Sequence, residues 1–417
     1  MSEKLAINGG TPVRKNPLPP SYPGATMFNA EETVGLAEVV AAKSPFRFYG
    51  PNCLGKTKQF EKDLAKMFGV KHALAVTSGT AALMCALKAA GVGAGDKVIV
   101  PACTFIATPG AVVCAGGVPV FADIDESLSM DPDDIERHID KYTKAIICVP
   151  ILGNPCQMDR IMEVANRHHL TVIEDAAQSC GSSYHGKLSG TFGHINTFSL
   201  QMNKIITTGE GGAVVTDDPK LYERAVRYHD QGMFREREGF LNVNENEDVF
   251  VGEDYRMNEF SGAVALVQLH KLPEIISRMR HIKKIIKDGL RNVPGIGFRR
   301  INDEAGDAGN AIIFLLESQT KAVAFVRALS AENISTYQLY SGIPIYMQPQ
   351  IFRQRTADNS GFPFNQFDKP VVYTEDMCPH ALDILSRNAV INVGPTWTEQ
   401  DAQDVVAAVK KVAAQVL

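Results

Sequence analysis

The sequence predicts an α/β protein whose mostly parallel sheet is covered by helices on both faces. Two patterns point there first. Short β-branched runs alternate with helical segments from about residue 72 to 216. Those runs ("HALAV", "KVIVP", "VPVFADID", "KAIICVPI", "LTVIEDAA") are nearly all apolar, as strands buried on both faces must be. The third is the charge-free stretch from Val98 to Ala122. It is broken by Pro101, Pro109, Gly110, Gly116, Gly117 and Pro119, so it reads as strand, helix and strand inside a core, not as a membrane span.

The elements follow in order. Residues 1–30 are rich in Pro and Gly ("NGGTPVRKNPLPP") and predict an extended arm. Asn29 to Met67 predicts two amphipathic helices separated by the aromatic turn "SPFRFYGPN". "HALAVTSG" is a strand, and a helix runs from Thr80 to Ala90. "KVIVP" is a strand, "ATPGAVVCAG" a helix and "VPVFADID" a strand. "PDDIERHID" is a helix with an Asp-Pro start, "KAIICVPI" a strand, "DRIMEVANRHH" a helix and "LTVIEDAA" a strand. "NTFSLQ" and "GGAVVT" add two more strands. Residues 235–254 are polar and acidic and predict a long loop; a long helix then runs from Asn258 to about Val293. The last ~120 residues form a smaller α+β unit.

Composition narrows the function. A chain of 417 residues with 45% hydrophobic and 21% charged residues is of ordinary globular type, long enough for a large domain with a smaller one attached. A formal net charge of −5, with no basic block, argues against binding nucleic acid by phosphate neutralisation. The start, "MSEKLAINGG", lacks the apolar core of a signal peptide, so a cytoplasmic protein without a membrane partner is expected. Eight scattered cysteines, with no CxxC pair and no ligand spacing, predict reduced thiols and no metal.

Ligands of open parallel sheets bind beyond the carboxyl ends of the strands, so the residues following each strand matter most. After the first strand, Thr77, Ser78, Gly79 and Thr80 open a helix. Small residues and free N–H groups there suit a phosphate, or Ser78 is simply a helix cap. After the second strand, Phe105 either stacks on a flat ring or packs in the core. Asp175 ends the apolar strand "LTVIED", with Gln178 close behind. A buried carboxylate needs a partner, which a protonated heteroaromatic nitrogen or an ordinary salt bridge would supply. Ser199 precedes Lys204, which sits between an apolar strand and the turn "TTGEGG". Desolvation would make its amine a nucleophile suited to Schiff-base formation, unless the side chain reaches solvent. Together these four segments hold the parts needed for pyridoxal 5'-phosphate (PLP): phosphate cradle, stacking ring, charged partner for the pyridine nitrogen, and nucleophilic lysine.

The order "SGTAAL", "VIVPACTFIAT", "VIEDAAQSCGS", "FSLQMNK" with "TTGEGGA", and "DYRMNEFSGAV" resembles the fold-type I PLP enzymes of the DegT/DnrJ/StrS sugar aminotransferase family over nearly the full length. The resemblance implies a large PLP-binding α/β domain (31–270) with a mostly parallel seven-stranded sheet, following the arm (1–30). The linking helix and a small C-terminal α+β domain would occupy 271–417. It implies that Lys204 bonds the cofactor and moves protons, Asp175 pairs with the pyridine nitrogen and Phe105 stacks on the ring. Gln178 would lie near the ring oxygen, while Gly79, Thr80 and Ser199, with Ser78, hold the phosphate. It implies a homodimer with shared sites, the loop before "YRMNE" crossing to the neighbour. Many relatives carry Asn before that Tyr-Arg-Met, in contact with phosphate. Here Asp254 stands there, and a carboxylate would be repelled, so either Arg256 takes that role or the loop sits differently.

Members with histidine in place of the lysine dehydrate or merely bind, so Lys204 points to an aminotransferase. A dehydratase or epimerase and a ligand-responsive regulator are the alternatives. The donor implied is L-glutamate or L-glutamine. For the acceptor, "NGGTPVR" and "QMNK" resemble aminocyclitol enzymes of antibiotic pathways. "RFYGPNCLGKTKQFEKDLAKMFGVKHA" and "EAGDAGNAIIFLL" resemble members that aminate an octulosonic acid of lipopolysaccharide, and nucleotide-linked keto sugars are the broadest class. Tyr184, His185, His229, Arg256 and Tyr340 are the candidates to face the acceptor.

Overall fold

A computed structural model describes residues 3–238, 249–358 and 360–417. Helices α1 (Ala30–Ala42) and α2 (Lys56–Phe68) come first. The start of α1 is fixed by a reciprocal cap: the Glu31 amide donates to the Asn29 side chain, and the Asn29 amide to Glu32. There follow β1 (His72–Val76), α3 (Gly79–Ala89), β2 (Lys97–Pro101), α4 (Ala107–Cys114) and β3 (Val118–Ala122). Next come α5 (Pro132–Ile135), β4 (Thr143–Cys148), α6 (Met158–Arg167) and β5 (Thr171–Asp175). A small hairpin, β6 (Ser183–Tyr184) and β7 (Lys187–Leu188), precedes β8 (Ile195–Ser199), β9 (Gly212–Thr216), α7 (Pro219–His229) and α8 (Arg235–Glu238).

The large sheet has seven strands in the order β1-β9-β8-β5-β4-β2-β3, and only β9 runs against its neighbours. Both faces are apolar because alternate residues enter different cores. Leu74 and Val76 of β1 join one core, Ala73 and Ala75 another. In β2, Val98 and Val100 lie on one side and Ile99 on the other. That is the reason these runs lack the polar alternation of a half-exposed strand.

Helix α9 (Glu259–Leu290) crosses behind the sheet and packs on α1 and α2. Its 32 residues make a rod of about 48 Å. Beyond it, β10 (Gly297–Phe298), β11 (Ala311–Leu315), α10 (Gln319–Ala331), α11 (Pro349–Phe352), α12 (Pro379–Ser386), β12 (Asn388–Asn392) and α13 (Glu399–Val416) complete the chain. Strands β10, β11 and β12 form a separate antiparallel sheet.

Three expectations change. The N-terminal segment is bound, not simply extended. It makes single 3-10 turns at Ala6–Asn8 and Ala25–Met27 and buries Leu5 and Leu18. It donates the Ala6 and Val13 amides to the buried Glu332 carboxylate at 2.9 and 2.8 Å. The "PDDIERHID" helix splits into α5 and a 3-10 turn (Glu136–His138), because Ile139 returns to extended backbone ahead of β4. The expected 235–254 loop begins as helix α8, and its residues 239–248 lie outside the described residues. Among the described residues, no helix is long and apolar enough to cross a membrane, and no group of His, Cys, Asp and Glu side chains could hold a metal. All eight cysteines are free and six are buried.

Candidate active site

The predicted residues gather at the carboxyl edge of the large sheet. Parallel pairing of β2, β4, β5 and β8 puts Phe105, Asp175, Ser199 and Lys204 at one end of the strands. Strand β1 runs the same way, since it and β8 both oppose β9, so Ser78, Gly79 and Thr80 share that edge.

The start of α3 is built for close approach. Ser78 caps the helix by accepting the Ala81 amide at 3.0 Å, so its hydroxyl is partly engaged. A methyl group placed on Gly79 would lie 2.7 Å from Ser199 Cβ and 3.0 Å from its Oγ, so only glycine lets these segments touch. Thr80 is exposed and Ser199 nearly buried. A helix N-terminus with small, polar neighbours is a place for an anion.

Asp175 is 5% exposed. Its carboxylate accepts from Thr108 Oγ1 (3.1 Å), the Ala177 amide (3.2 Å) and Thr197 Oγ1 (3.4 Å). Burial pushes its pKa above the ordinary carboxylate value, against those donors and the nearby Lys204. Lys204 is half-buried, and burial lowers its pKa, opposed by Asp175 and Glu210. Among the described residues its ammonium has no hydrogen-bond or ion-pair partner. The turn that carries it is fixed through the backbone: the Lys204 amide donates to Gln201, and its carbonyl accepts from the Gly24 amide.

Phe105 is 54% exposed on the single chain, an apolar ring presented at the sheet edge. Gln178 accepts from the Leu152 amide at 3.4 Å and donates to the Tyr340 hydroxyl at 2.9 Å. Tyr340 therefore joins the cluster. It and Ser341 adopt positive φ (50° and 58°), a conformation disfavoured for side-chain-bearing residues that holds the Tyr340 ring against Gln178. Burial, above all, raises the Tyr340 hydroxyl well above its usual pKa.

Three acceptor candidates lie elsewhere. Tyr184 is buried in the small hairpin and donates to Asp159 at 2.9 Å. The His185 ring lies tilted against Tyr184, and its backbone amide donates to Asp303. His229 is buried at the end of α7, where its Nδ1 donates to the Val226 carbonyl. Burial first, then the charge of Arg47, pushes its pKa down to about 3, so it is a neutral packing group. Arg256 is tied by Asp230 and Asp254, both at 2.5 Å, and lies over the Phe46 ring. The unexpected carboxylate of Asp254 is thus matched by its own arginine, which offsets the repulsion predicted from sequence. The sequence passes over Thr108 and Thr197, the side chains on Asp175. For Thr108 the only signal was a pair of hydroxyl side chains, Thr104 and Thr108, in an otherwise apolar stretch.

These groups fit PLP. A cradle closed to any Cβ, a buried carboxylate, an exposed flat ring and an amine without a partner among the described residues match the phosphate, ring nitrogen, ring face and aldehyde of that cofactor. Sheet order and edge cluster together define a fold-type I PLP-dependent enzyme. The chain belongs to the DegT/DnrJ/EryC1/StrS aminotransferase family, whose pattern it matches over residues 41–410. Members of that family are PLP-dependent aminotransferases. It is 43% identical to GDP-perosamine synthase of Escherichia coli O157:H7 over 57% of this chain and 63% of that protein, so the match spans less than two thirds of that relative. It is 36% identical to L-glutamine:2-deoxy-scyllo-inosose aminotransferase of Streptomyces kanamyceticus over 70% of this chain and 69% of that one. The structure of DesV from S. venezuelae superposes with a TM-score of 0.82 at 27% identity, covering 97% of this chain and 100% of that one.

Proposed function

We propose that this protein moves an amino group from L-glutamate or L-glutamine to a keto or aldehyde carbon of a sugar-like or cyclitol acceptor, in amino-sugar biosynthesis. The observation that carries this is the half-buried Lys204 ammonium, without a hydrogen-bond or ion-pair partner among the described residues, beside the buried Asp175 carboxylate. Relatives that act on a GDP-linked sugar and on a cyclitol support both acceptor classes.

PLP, when bound, supplies an electron sink for charge developing on the substrate carbon. Asp175 would hold the proton on the ring nitrogen, and Phe105 would cover the ring face. The Gly79 and Thr80 amides and the Ser199 hydroxyl would bind the phosphate, with Gln178 beside the ring oxygen. Lys204 would hold the aldehyde carbon and, once released, carry the proton to and from the substrate carbon as general acid and base. Tyr340, held on Gln178, is the candidate best placed to meet the acceptor.

We also propose a cytoplasmic homodimer in which each chain completes its partner's site. Val34 and Val40 of α1, Phe260 and Phe105 stay exposed on one chain, as surfaces awaiting a partner do. The domain division proposed is arm 1–30, large domain 31–270 and small domain 271–417, with α9 shared between the last two. The test is to load the protein with PLP and add single amino acids. Glutamate or glutamine should bleach the cofactor band and release a keto acid, and borohydride should fix the label on Lys204. A label on another lysine, or no band after adding PLP, would overturn the assignment.

A further inference from the structure

Thr104 and Thr108 lie in the charge-free stretch of the chain, and nothing above gives them a task in the reaction. Both are buried, at 0% and 1% exposure. Threonine inside a helix commonly turns its hydroxyl back to the carbonyl four residues earlier. Thr108, the second residue of α4, instead meets the Thr104 hydroxyl at 2.8 Å and Asp175 Oδ2 at 3.1 Å. Each hydroxyl owns a single proton. An ionised Asp175 can only accept, so the proton of Thr108 goes to Asp175. The contact between the two threonines must then use the proton of Thr104. Donation runs one way, from Thr104 to Thr108 to Asp175, and each bond polarises the next.

The need for such a device follows from the surroundings of Asp175. Burial drives it toward taking up a proton. A protonated acid could not hold a cationic ring nitrogen. The titratable groups facing it are Lys204, from the turn after β8, and Tyr340, from the segment between α10 and α11. Lys204 is also the group meant to bond the cofactor, so its charge is not a permanent support. The remaining donors, the Ala177 amide and the Thr197 hydroxyl, are the longer two.

We propose that Thr104 and Thr108 form a hydroxyl relay that holds Asp175 as an acceptor for a protonated ring nitrogen, with Thr108 the positioning residue. This rests on the aminotransferase reading through the role of Asp175, but the relay itself is testable without cofactor. Thr108→Val keeps the shape and removes the hydroxyl; Thr108→Ser keeps the hydroxyl.

In the apoprotein, the thermal midpoint is measured against pH. A carboxyl whose folded pKa is raised contributes stability below its unfolded value, lost as pH rises through the folded one. Removing a donor raises the folded value further. The deficit of Thr108→Val against the parent should therefore be small at acid pH and grow as pH rises, Thr108→Ser should follow the parent, and Thr104→Val should show a weaker version. A deficit equal at every pH would mean packing alone and would overturn the relay.

In the loaded enzyme, the ¹⁵N shift of labelled pyridine nitrogen should move toward the unprotonated value in Thr108→Val. kcat should fall about tenfold with KM little changed, the scale of one charge-assisted hydrogen bond. An unmoved nitrogen shift would overturn the proposal even if the apoprotein behaved as expected. If the parent bound no cofactor at all, the aminotransferase reading would fail, while the apoprotein series would still decide the relay.

Discussion

At the scale of single residues, the proposed site pairs a buried carboxylate with a half-buried amine, and burial discourages the charge of each. Asp175→Asn keeps the shape and removes the charge; kcat should drop on the order of a hundredfold, the size of a well-placed electrostatic partner. Near-normal turnover would mean a different carboxylate faces the ring. The amine makes its own prediction. Neutral lysine is the reactive form, and burial lowers the pKa of Lys204, so cofactor capture should speed up as pH rises with a midpoint below that of a free lysine. Stopped-flow absorbance of the apoprotein mixed with PLP checks this. Lys204→Ala should still bind the cofactor yet lose turnover. His229 shows the limit of picking residues by type. As a histidine it was a candidate to face the acceptor, but its burial against Val226 and beside Arg47 leaves it neutral and enclosed.

At the scale of elements, most of the large sheet was legible because strands buried on both faces leave an unbroken apolar signature, as in "KVIVP" and "KAIIC". The edge residues were legible for the related reason that Asp175 and Lys204 interrupt such a signature at a cost that needs an explanation. What stayed hidden were contacts made at a distance. Tyr340 reaches Gln178 across 162 positions, and Thr108 reaches Asp175 across 67, and no local pattern records either. The "PDDIERHID" helix failed because its start signals are strong but nothing in its composition marks the turn into β4. The contact between α3 and β8 gives a sharp test. In Gly79→Ala the new methyl would press on Ser199, 2.7 Å away, so the two segments must part. Affinity for PLP should fall tenfold or more by absorbance titration (about 1.4 kcal/mol), with the fold retained by circular dichroism. Unchanged affinity would show that this junction does not hold the phosphate.

At the scale of the whole molecule, the proposed sharing of sites predicts rescue. Mixing a Lys204→Ala chain with a chain lacking residues 236–250 should restore about one working site per heterodimer if that segment acts across the interface. A confirmed heterodimer without activity would count against the arrangement. The N-terminal segment is secured by residues from the far end of the chain. Glu332, fully buried, accepts the Ala6 and Val13 amides and the Lys411 ammonium. Trp397 donates to the Pro19 carbonyl, and Lys411 to Thr11. Burial pushes the Glu332 carboxyl up, but the Ala6 amide, Lys411 and the Val13 amide together bring it below its ordinary value. Its contribution is present above the unfolded pKa and lost as pH falls through the folded one, so the segment should become protease-sensitive first on the acid side. Glu332→Ala, which removes the carboxylate partner of Lys411 and of two backbone amides, should destabilise the protein by about 3 kcal/mol and expose the segment at neutral pH. These same bonds set an order of events in synthesis. Thr11 waits for a partner 400 positions later, and Pro19 for one 378 later. At 5–20 residues per second, these two contacts would wait roughly 20–80 s after Thr11 and Pro19 are made. The segment should therefore gain protection late in pulse-labelled translation, and its protection should stay incomplete in a chain stopped before α13, where Glu332 can hold Ala6 and Val13 but Lys411 is still missing.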